Sequence, residues 1–271
     1  MYETYWNLSR KPFGYRVAVD DLYRSKAVQS AALRLRYCID NNAGAALLLG
    51  ASGLGKSSLV QLLKADGTEL RPFVHVAFPR LSPSELTRAV ACELLQQDNV
   101  EDLPTDVLLV KQYNCLLKHA KQGNHPVIVF DEAHLLSNDT LDEVVLPLLN
   151  LADTDYGLQF SVILVGQAVL GSHIARNAQL RERIAVTATM HGLSENETAD
   201  YIRTRLADAG CEREIFTDEA ISAVMNLSGG NPRRINRLCD MALLVGYSDQ
   251  AQRIEGTDIE ALATEILPAA A

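Results

Sequence analysis

The sequence is poor in the features that mark several protein classes. Its five cysteines, at positions 38, 92, 115, 211 and 239, form no C-x-x-C pair. Thiols scattered in this way argue against a zinc ribbon or a disulfide-stapled secreted scaffold, and read as small buried hydrophobes in a reducing compartment. No apolar run approaches the roughly 18–20 residues a bilayer-spanning helix needs. The N-terminal stretch MYETYWNLSRKPFGY also lacks the apolar centre of a signal peptide, so a cytoplasmic location is expected. Positive charge is not in excess: 25 Lys and Arg face 34 Asp and Glu, a net charge of −9. That excludes coating of nucleic acid by charge alone, but a local basic patch would not show in the total. His75, His119 and His125 show no metal-ligand spacing among themselves and read as structural or surface residues.

What is present organises the chain around Gly50-Ala51-Ser52-Gly53-Leu54-Gly55-Lys56-Ser57. This stretch satisfies G-x-x-x-x-G-K-[ST] at every fixed position. The apolar run Ala45 to Leu49 reads as a strand before it, and Ser58 to Ala65 as a helix after it, with Leu59, Leu62 and Leu63 at helical spacing. Glycines let such a loop wrap so that backbone N–H groups and the helix N-terminus face a phosphate. Lys56 would neutralise β/γ oxygens, the Ser57 hydroxyl would ligate Mg2+, and Ser58 opens the helix. The residues Gly50 to Ser58 are therefore the candidate nucleotide cradle.

A second signal lies at Pro126-Val-Ile-Val-Phe130 followed by Asp131-Glu132. Four consecutive apolar residues predict a strand buried on both faces, as in a parallel sheet. The carboxylates then fall at its C-terminal end, where open α/β sheets place ligands. Asp131 can hold Mg2+ together with Ser57, whereas Glu132, one residue on, points elsewhere and can polarise a water for attack on the γ-phosphate. Paired with the upstream loop, this favours hydrolysis over binding alone. His134 could touch that water or relay the nucleotide state, though a loop or supporting role is the simpler reading. A further strand, Phe160 to Val165, ends in Gly166-Gln167, which makes Gln167 a candidate γ-phosphate or water sensor; the plain alternative is a polar strand end. Phe73 to Phe78 is another strand candidate, and Asn138 to Asn150 reads as a helix that Pro147 kinks or ends.

Arg181 and Arg183 precede an extended run from Ala185 to Met190. Neither is placed to reach the phosphate of its own chain, so a neighbouring subunit is the expected recipient of one of these forked charges, with Arg176 a third candidate and internal salt bridges the rival explanation. From Leu193 the pattern is helical only. Ser194 with Glu197 forms a capping box, Thr217 opens the next helix, and Asn231-Pro232-Arg233-Arg234 begins another with proline in its first turn. Arg233, near a helix start, is expected to report the γ-phosphate from a small helical lid. The aromatic lead-in, with Tyr2, Tyr5, Trp6 and Tyr15 around Pro12-Phe13-Gly14, is expected to pack across a domain surface. Tyr15 or Tyr23 could stack near adenine, though packing is the simpler role.

The chain resembles AAA+ ATPases of the ExeA or general-secretion-pathway A type, which are related to ATPases that assist transposition. The resemblance runs through Lys11-Pro12-Phe13, Leu22-Tyr23, the phosphate loop and Val129-Phe130-Asp131-Glu132-Ala133. It continues in Leu164-Val165-Gly166-Gln167, Leu180 to Ile184, and Ser228-Gly229-Gly230-Asn231-Pro232-Arg233-Arg234-Ile235-Asn236. It implies Walker A roles for Lys56 and Ser57, Walker B roles for Asp131 and Glu132, sensor roles for Gln167 and Arg233, and an arginine finger among Arg181 and Arg183. The implied fold is α/β: a P-loop AAA+ module with a parallel central sheet flanked by helices, then a small all-helical lid. The expected division is a lead-in with its first helix (1–42), an ATPase core (43–192) and the lid (193–271). Two departures from the type are Val28 where His is common and His134 where Gln is common. The secretion proteins are also longer, with a membrane span and a wall-binding tail, so their anchoring function is not expected to carry over to a chain ending at Ala271.

Three readings follow. The first is ATP hydrolysis, with Mg2+, driving conformational change in a homo-oligomer with ATP at subunit joints and a secretion component as partner. The second is an ATP-dependent regulator that binds double-stranded DNA and recruits or activates a transposase; Arg34, Arg36, Lys64, Lys118, Lys121, Arg234 and Arg237 would supply its basic patch. The third is a nucleotide switch or scaffold that does not hydrolyse, which the presence of Glu132 disfavours.

Overall fold

The computed structural model describes residues 1–14, 22–65, 72–77, 80–96, 100, 103–154 and 157–266. Those residues form five strands and twelve α-helices. Tyr15 and Phe78 lie outside the described residues. The chain divides into two units: Met1–Ser25 with Gly53–Gly55 and His191–Ala271, and Lys26–Ser52 with Lys56–Met190. Residues 1–25 lie in the first of these units and the helix that begins at Lys26 in the second.

The larger unit begins with α1 (Lys26–Asp40), β1 (Ala45–Leu49) and α2 (Lys56–Ala65). It continues through β2 (Phe73–Val76), α3 (Pro83–Leu95), α4 (Thr105–Lys121) and β3 (Val127–Phe130). After a single 3-10 turn at Ala133–Leu135 come α5 (Asn138–Thr140), α6 (Leu146–Thr154), β4 (Ser161–Gly166), α7 (Ala168–Arg176), α8 (Ala178–Arg183) and β5 (Ile184–Thr189). The strands form one sheet in the order β2-β3-β4-β1-β5, and every pairing is parallel. Burial follows this order. All residues of β3 and β4 are buried, while the edge strands β2 and β5 alternate, as expected for a sheet covered on both faces at its centre. The core gathers Ile128, Phe130, Leu164, Leu86, Leu141 and Phe160.

Local chemistry explains several boundaries. At α3, Ser82 and Glu85 form a reciprocal capping box and Pro83 occupies the first turn, which satisfies backbone donors that the helix cannot. Around Pro147 the expected kink is replaced by a π-helical segment at Leu141–Val145 that joins α5 to α6. Proline has no N–H to return to the preceding turn. The widened turn, in which the Leu146 N–H reaches the Leu141 carbonyl, carries the helix through without a break.

In the other unit, α9 (Glu195–Asp208), α10 (Asp218–Ser228), α11 (Pro232–Ser248) and α12 (Gly256–Ile266) surround a second core. The expected Ser194–Glu197 capping box is formed, Thr217 caps α10, and Asn231 caps α11 ahead of Pro232. The N-terminal aromatics belong to this core. Trp6 is fully buried, and its indole N–H donates to the Leu243 carbonyl at 2.9 Å. The Arg213 guanidinium lies 5.0 Å from the Trp6 ring centroid. Tyr2 donates its hydroxyl to Asp240; burial and that carboxylate together push the phenol upward. Tyr23 packs edge-on against Tyr201, with centroids 5.4 Å apart, so packing is its observed role.

Candidate functional site

The phosphate loop follows β1 directly and is tied to the next strand: the Gly50 N–H donates to the Gly166 carbonyl at 3.1 Å. Gly53 and Gly55 adopt φ of +88° and +90°, which a side chain bearing Cβ rarely adopts. Lys56 opens α2, and its buried ammonium donates to the carbonyls of Gly50 at 2.9 Å and Ala51 at 3.0 Å. The cation is thus held within the loop's own curve, where phosphate oxygens could replace those carbonyls. Next in sequence, the Ser57 hydroxyl donates to Asp131 Oδ2 at 2.8 Å. Residues 74 positions apart meet because β1 and β3 both end on this side of the parallel sheet, one on each side of β4.

Asp131 is 5% exposed. Burial pushes its carboxyl up, but His75, Ser57 and the Glu132 backbone N–H outweigh that and hold it below the usual carboxylate range. The Glu132 N–H donates to Asp131 Oδ1 at 2.8 Å. His75 Nε2 stands 3.6 Å from Asp131 Oδ2, a polar contact slightly too long for a hydrogen bond. Its Nδ1 faces Gln61 Nε2 on α2 at 3.4 Å. His75 therefore supports the site rather than serving as a surface residue. The parallel pairing of β2 with β3 sets it opposite Val129, and no spacing along the chain announces that neighbour.

Glu132 has left-handed backbone angles, φ 51° and ψ 32°. For a residue with a Cβ this costs about 1–2 kcal/mol, and it turns the chain sharply between the Asp131 carboxylate and the turn that carries His134. Gln167, the residue after β4, has its amide nitrogen 3.1 Å from His134 Nε2. His134 Nδ1 lies 3.3 Å from Glu132 Oε2. The strand-end residues Asp131, Glu132 and Gln167 thus assemble with Lys56 and Ser57 at one end of the sheet, and His75 and His134 join them.

Arg181 and Arg183 lie elsewhere. Arg181 donates to the Ala175 carbonyl at 3.4 Å and Arg183 to the Gln179 carbonyl at 3.1 Å. Both are on α8, which leads into β5, and the first residue of β5 pairs with Ala45 at the start of β1. The length of β1, roughly 13 Å or more between its ends, separates that position from the phosphate loop. Arg176 lines an open groove of about 1000 Å³ with His173, Asn138 and Asp142. In the helical unit, Arg233 follows the Asn231 cap, whose Oδ1 accepts from the Arg233 N–H at 3.1 Å. A Cβ on Gly53, which belongs to the same unit, would stand 2.8 Å from the Arg233 Cβ.

The model of a family described as "AAA domain" matches residues 39–171. General secretion pathway protein A of Aeromonas hydrophila is 30% identical over 268 residues, which cover 98% of this chain and 48% of that protein. The chain therefore spans about half the length of that curated relative. Among solved structures, Cdc6p of Pyrobaculum aerophilum superposes with a TM-score of 0.71 at 16% identity, covering 99% of this chain and 72% of that one. The ORC1 protein of Aeropyrum pernix, solved in complex with DNA, gives 0.67 at 17% identity, covering 92% of this chain and 67% of that one. Residues 39–171 are thus similar to an AAA domain, and the parallel sheet flanked by helices, with its additional helical region, has the architecture of an AAA+ P-loop NTPase.

Proposed function

We propose that the chain binds ATP with Mg2+ at Gly50–Ser58 and hydrolyses its β–γ phosphoanhydride bond to drive conformational change in an assembly of several copies. The observation that supports this most is the 2.8 Å hydrogen bond between Ser57 and Asp131, which joins the end of the loop to the end of β3. The donor set suits Mg2+: a hydroxyl and a carboxylate are hard oxygen ligands, and this ion fills its remaining positions with water and phosphate oxygens. Ser57 and Asp131 would hold this ion, which would supply neutralisation of phosphate negative charge.

The chain's own residues do the rest. Lys56 exchanges the Gly50 and Ala51 carbonyls for phosphate oxygens. Glu132, on its strained turn and 39% exposed at the side chain, accepts the proton of the attacking water, while Asp131 stays ionised. Gln167 directs an amide N–H toward the γ-phosphate, and Arg233 supplies charge to the same group. The distance of α8 from the loop supports a role for Arg181 or Arg183 toward a neighbouring copy's nucleotide, hence a homo-oligomer.

The match to a secretion-pathway relative over nearly the whole chain supports a protein partner in a secretion or envelope system over a transposase, and a cytoplasmic working place where ATP is abundant. No described helix is long and apolar enough to cross a membrane. The deciding experiment measures ATP turnover and assembled mass for the wild type and Glu132→Gln, with and without double-stranded DNA. Glu132→Gln should bind ATP, assemble and lose at least about 100-fold in turnover; unchanged hydrolysis refutes the assignment of the base. Assembly and turnover that respond to DNA would favour the transposition-type alternative.

A further inference from the structure

His134 has a part in this site that neither its loop position nor the proposed chemistry requires. Its side chain is 11% exposed, and both ring nitrogens face polar groups of the catalytic face. Nε2 lies 3.1 Å from the Gln167 amide nitrogen. Nδ1 is buried with no well-aligned hydrogen-bond partner among the described residues, although Glu132 Oε2 is only 3.3 Å away. Glu132 is the more exposed of the two and sits on a left-handed turn. The backbone beneath the ring is also close-packed: a Cβ on Gly166 would come within 3.2 Å of the His134 backbone nitrogen, so the 3-10 turn carrying His134 rests directly on the end of β4.

We propose that His134 is a positioning residue that couples Gln167 to Glu132, so that a γ-phosphate engaged by Gln167 draws the general base into register. This rests on the hydrolytic reading above. Hydrogen-bond chemistry sets the polarity of the relay. An ionised Glu132 only accepts, so the neutral ring must carry its proton on Nδ1. Nε2 must then accept, which requires Gln167 to present its amide nitrogen, the orientation the structure has. The Gln167 amide keeps a second N–H for a phosphate oxygen. Three side chains from two strand ends thus form one line from the γ-phosphate to the base, and a slight turn of the Glu132 carboxylate completes it.

The test compares His134→Phe, which keeps a flat ring of similar size without donor or acceptor, with His134→Gln, which retains one of each. His134→Phe should lower kcat on the order of 10–100-fold while affinity for a fluorescent ATP analogue stays within about twofold. His134→Gln should recover most of the rate. Adding Gln167→Ala to His134→Phe should cost little beyond the worse single variant, as coupled residues do. A wild-type kcat in His134→Phe with Glu132→Gln inactive overturns the relay and leaves hydrolysis standing. Additive losses do the same. Full activity in Glu132→Gln removes the relay together with the hydrolytic assignment. Nitrogen NMR of the wild-type protein labelled at histidine reads the tautomer without turnover or a folded variant: protonation of the neutral ring at Nδ1 is expected, and protonation at Nε2 alone overturns the proposal.

Discussion

Trp6 offers the sharpest test of the packing in the helical unit. It is the chain's single tryptophan, fully buried, so its emission reports that unit alone. Three contributions can be separated. The indole N–H···O=C bond to Leu243 is worth about 1 kcal/mol. The Arg213 guanidinium over the ring adds about 0.5–1 kcal/mol. Filling the space itself dominates, because removing a large aromatic side chain from a core costs about 3–5 kcal/mol. Trp6→Phe should therefore destabilise by about 1–2 kcal/mol, Arg213→Ala by less than about 1, and Trp6→Ala by about 3–5. Urea titration followed by far-UV circular dichroism gives these differences. In the wild type, Trp6 emission should be blue-shifted and protected from iodide until the same unit unfolds. A Trp6→Ala loss no larger than that of Arg213→Ala would refute the placement of the N-terminal segment in this core.

Two further predictions concern thiols and backbone. Cys38 and Cys239 are buried, and burial pushes the Cys38 thiol up to about 11. At pH 8 both should resist a disulfide reagent until the protein is denatured, while Cys211, partly exposed, reacts first. Because the native thiol of Cys38 is raised above its unfolded value, about 8.5, its contribution is complete below that value. It declines as pH climbs from there towards 11, and Cys38→Ala should flatten that decline in an alkaline stability profile. At the α10–α11 junction, Gly229 and Gly230 both have positive φ, yet a Cβ would meet nothing within 4 Å at Gly229 and would lie 2.0 Å from the Leu193 carbonyl oxygen at Gly230. Gly229→Ala should cost about 1–2 kcal/mol, and Gly230→Ala about 3 or more, read by thermal denaturation of the pair.

Much of the architecture could be read along the chain because each signal was local. The glycine-lysine spacing marked the phosphate loop, four apolar residues before Asp131 marked a buried strand, and Ser194 with Glu197 marked a helix start. What escaped depends on pairings between distant segments. His75 reaches Asp131 only through the register of β2 on β3. His134 meets Gln167 across 33 positions because a turn rests on Gly166. Trp6 finds Leu243 237 residues later, so the lead-in could be recognised as something that packs, but its partner could not be named. At Pro147 the missing donor was visible, whereas the wider helical turn that absorbs it depends on the surrounding core.

The strand order also has a temporal meaning during synthesis. β1 pairs only with β4 and β5, so the strand that launches the phosphate loop leaves the ribosome roughly 110 residues before its first partner. At about 5–20 residues per second, that is on the order of ten seconds in which an apolar segment has no ladder to join. Trp6 waits longer, since the helix that receives it lies near the other end of the chain. Both units must therefore close around segments made well before the partners that receive them. The nascent chain carries this apolar surface until those partners emerge, and a chaperone that shields Ala45–Leu49 and Trp6 would act in that interval.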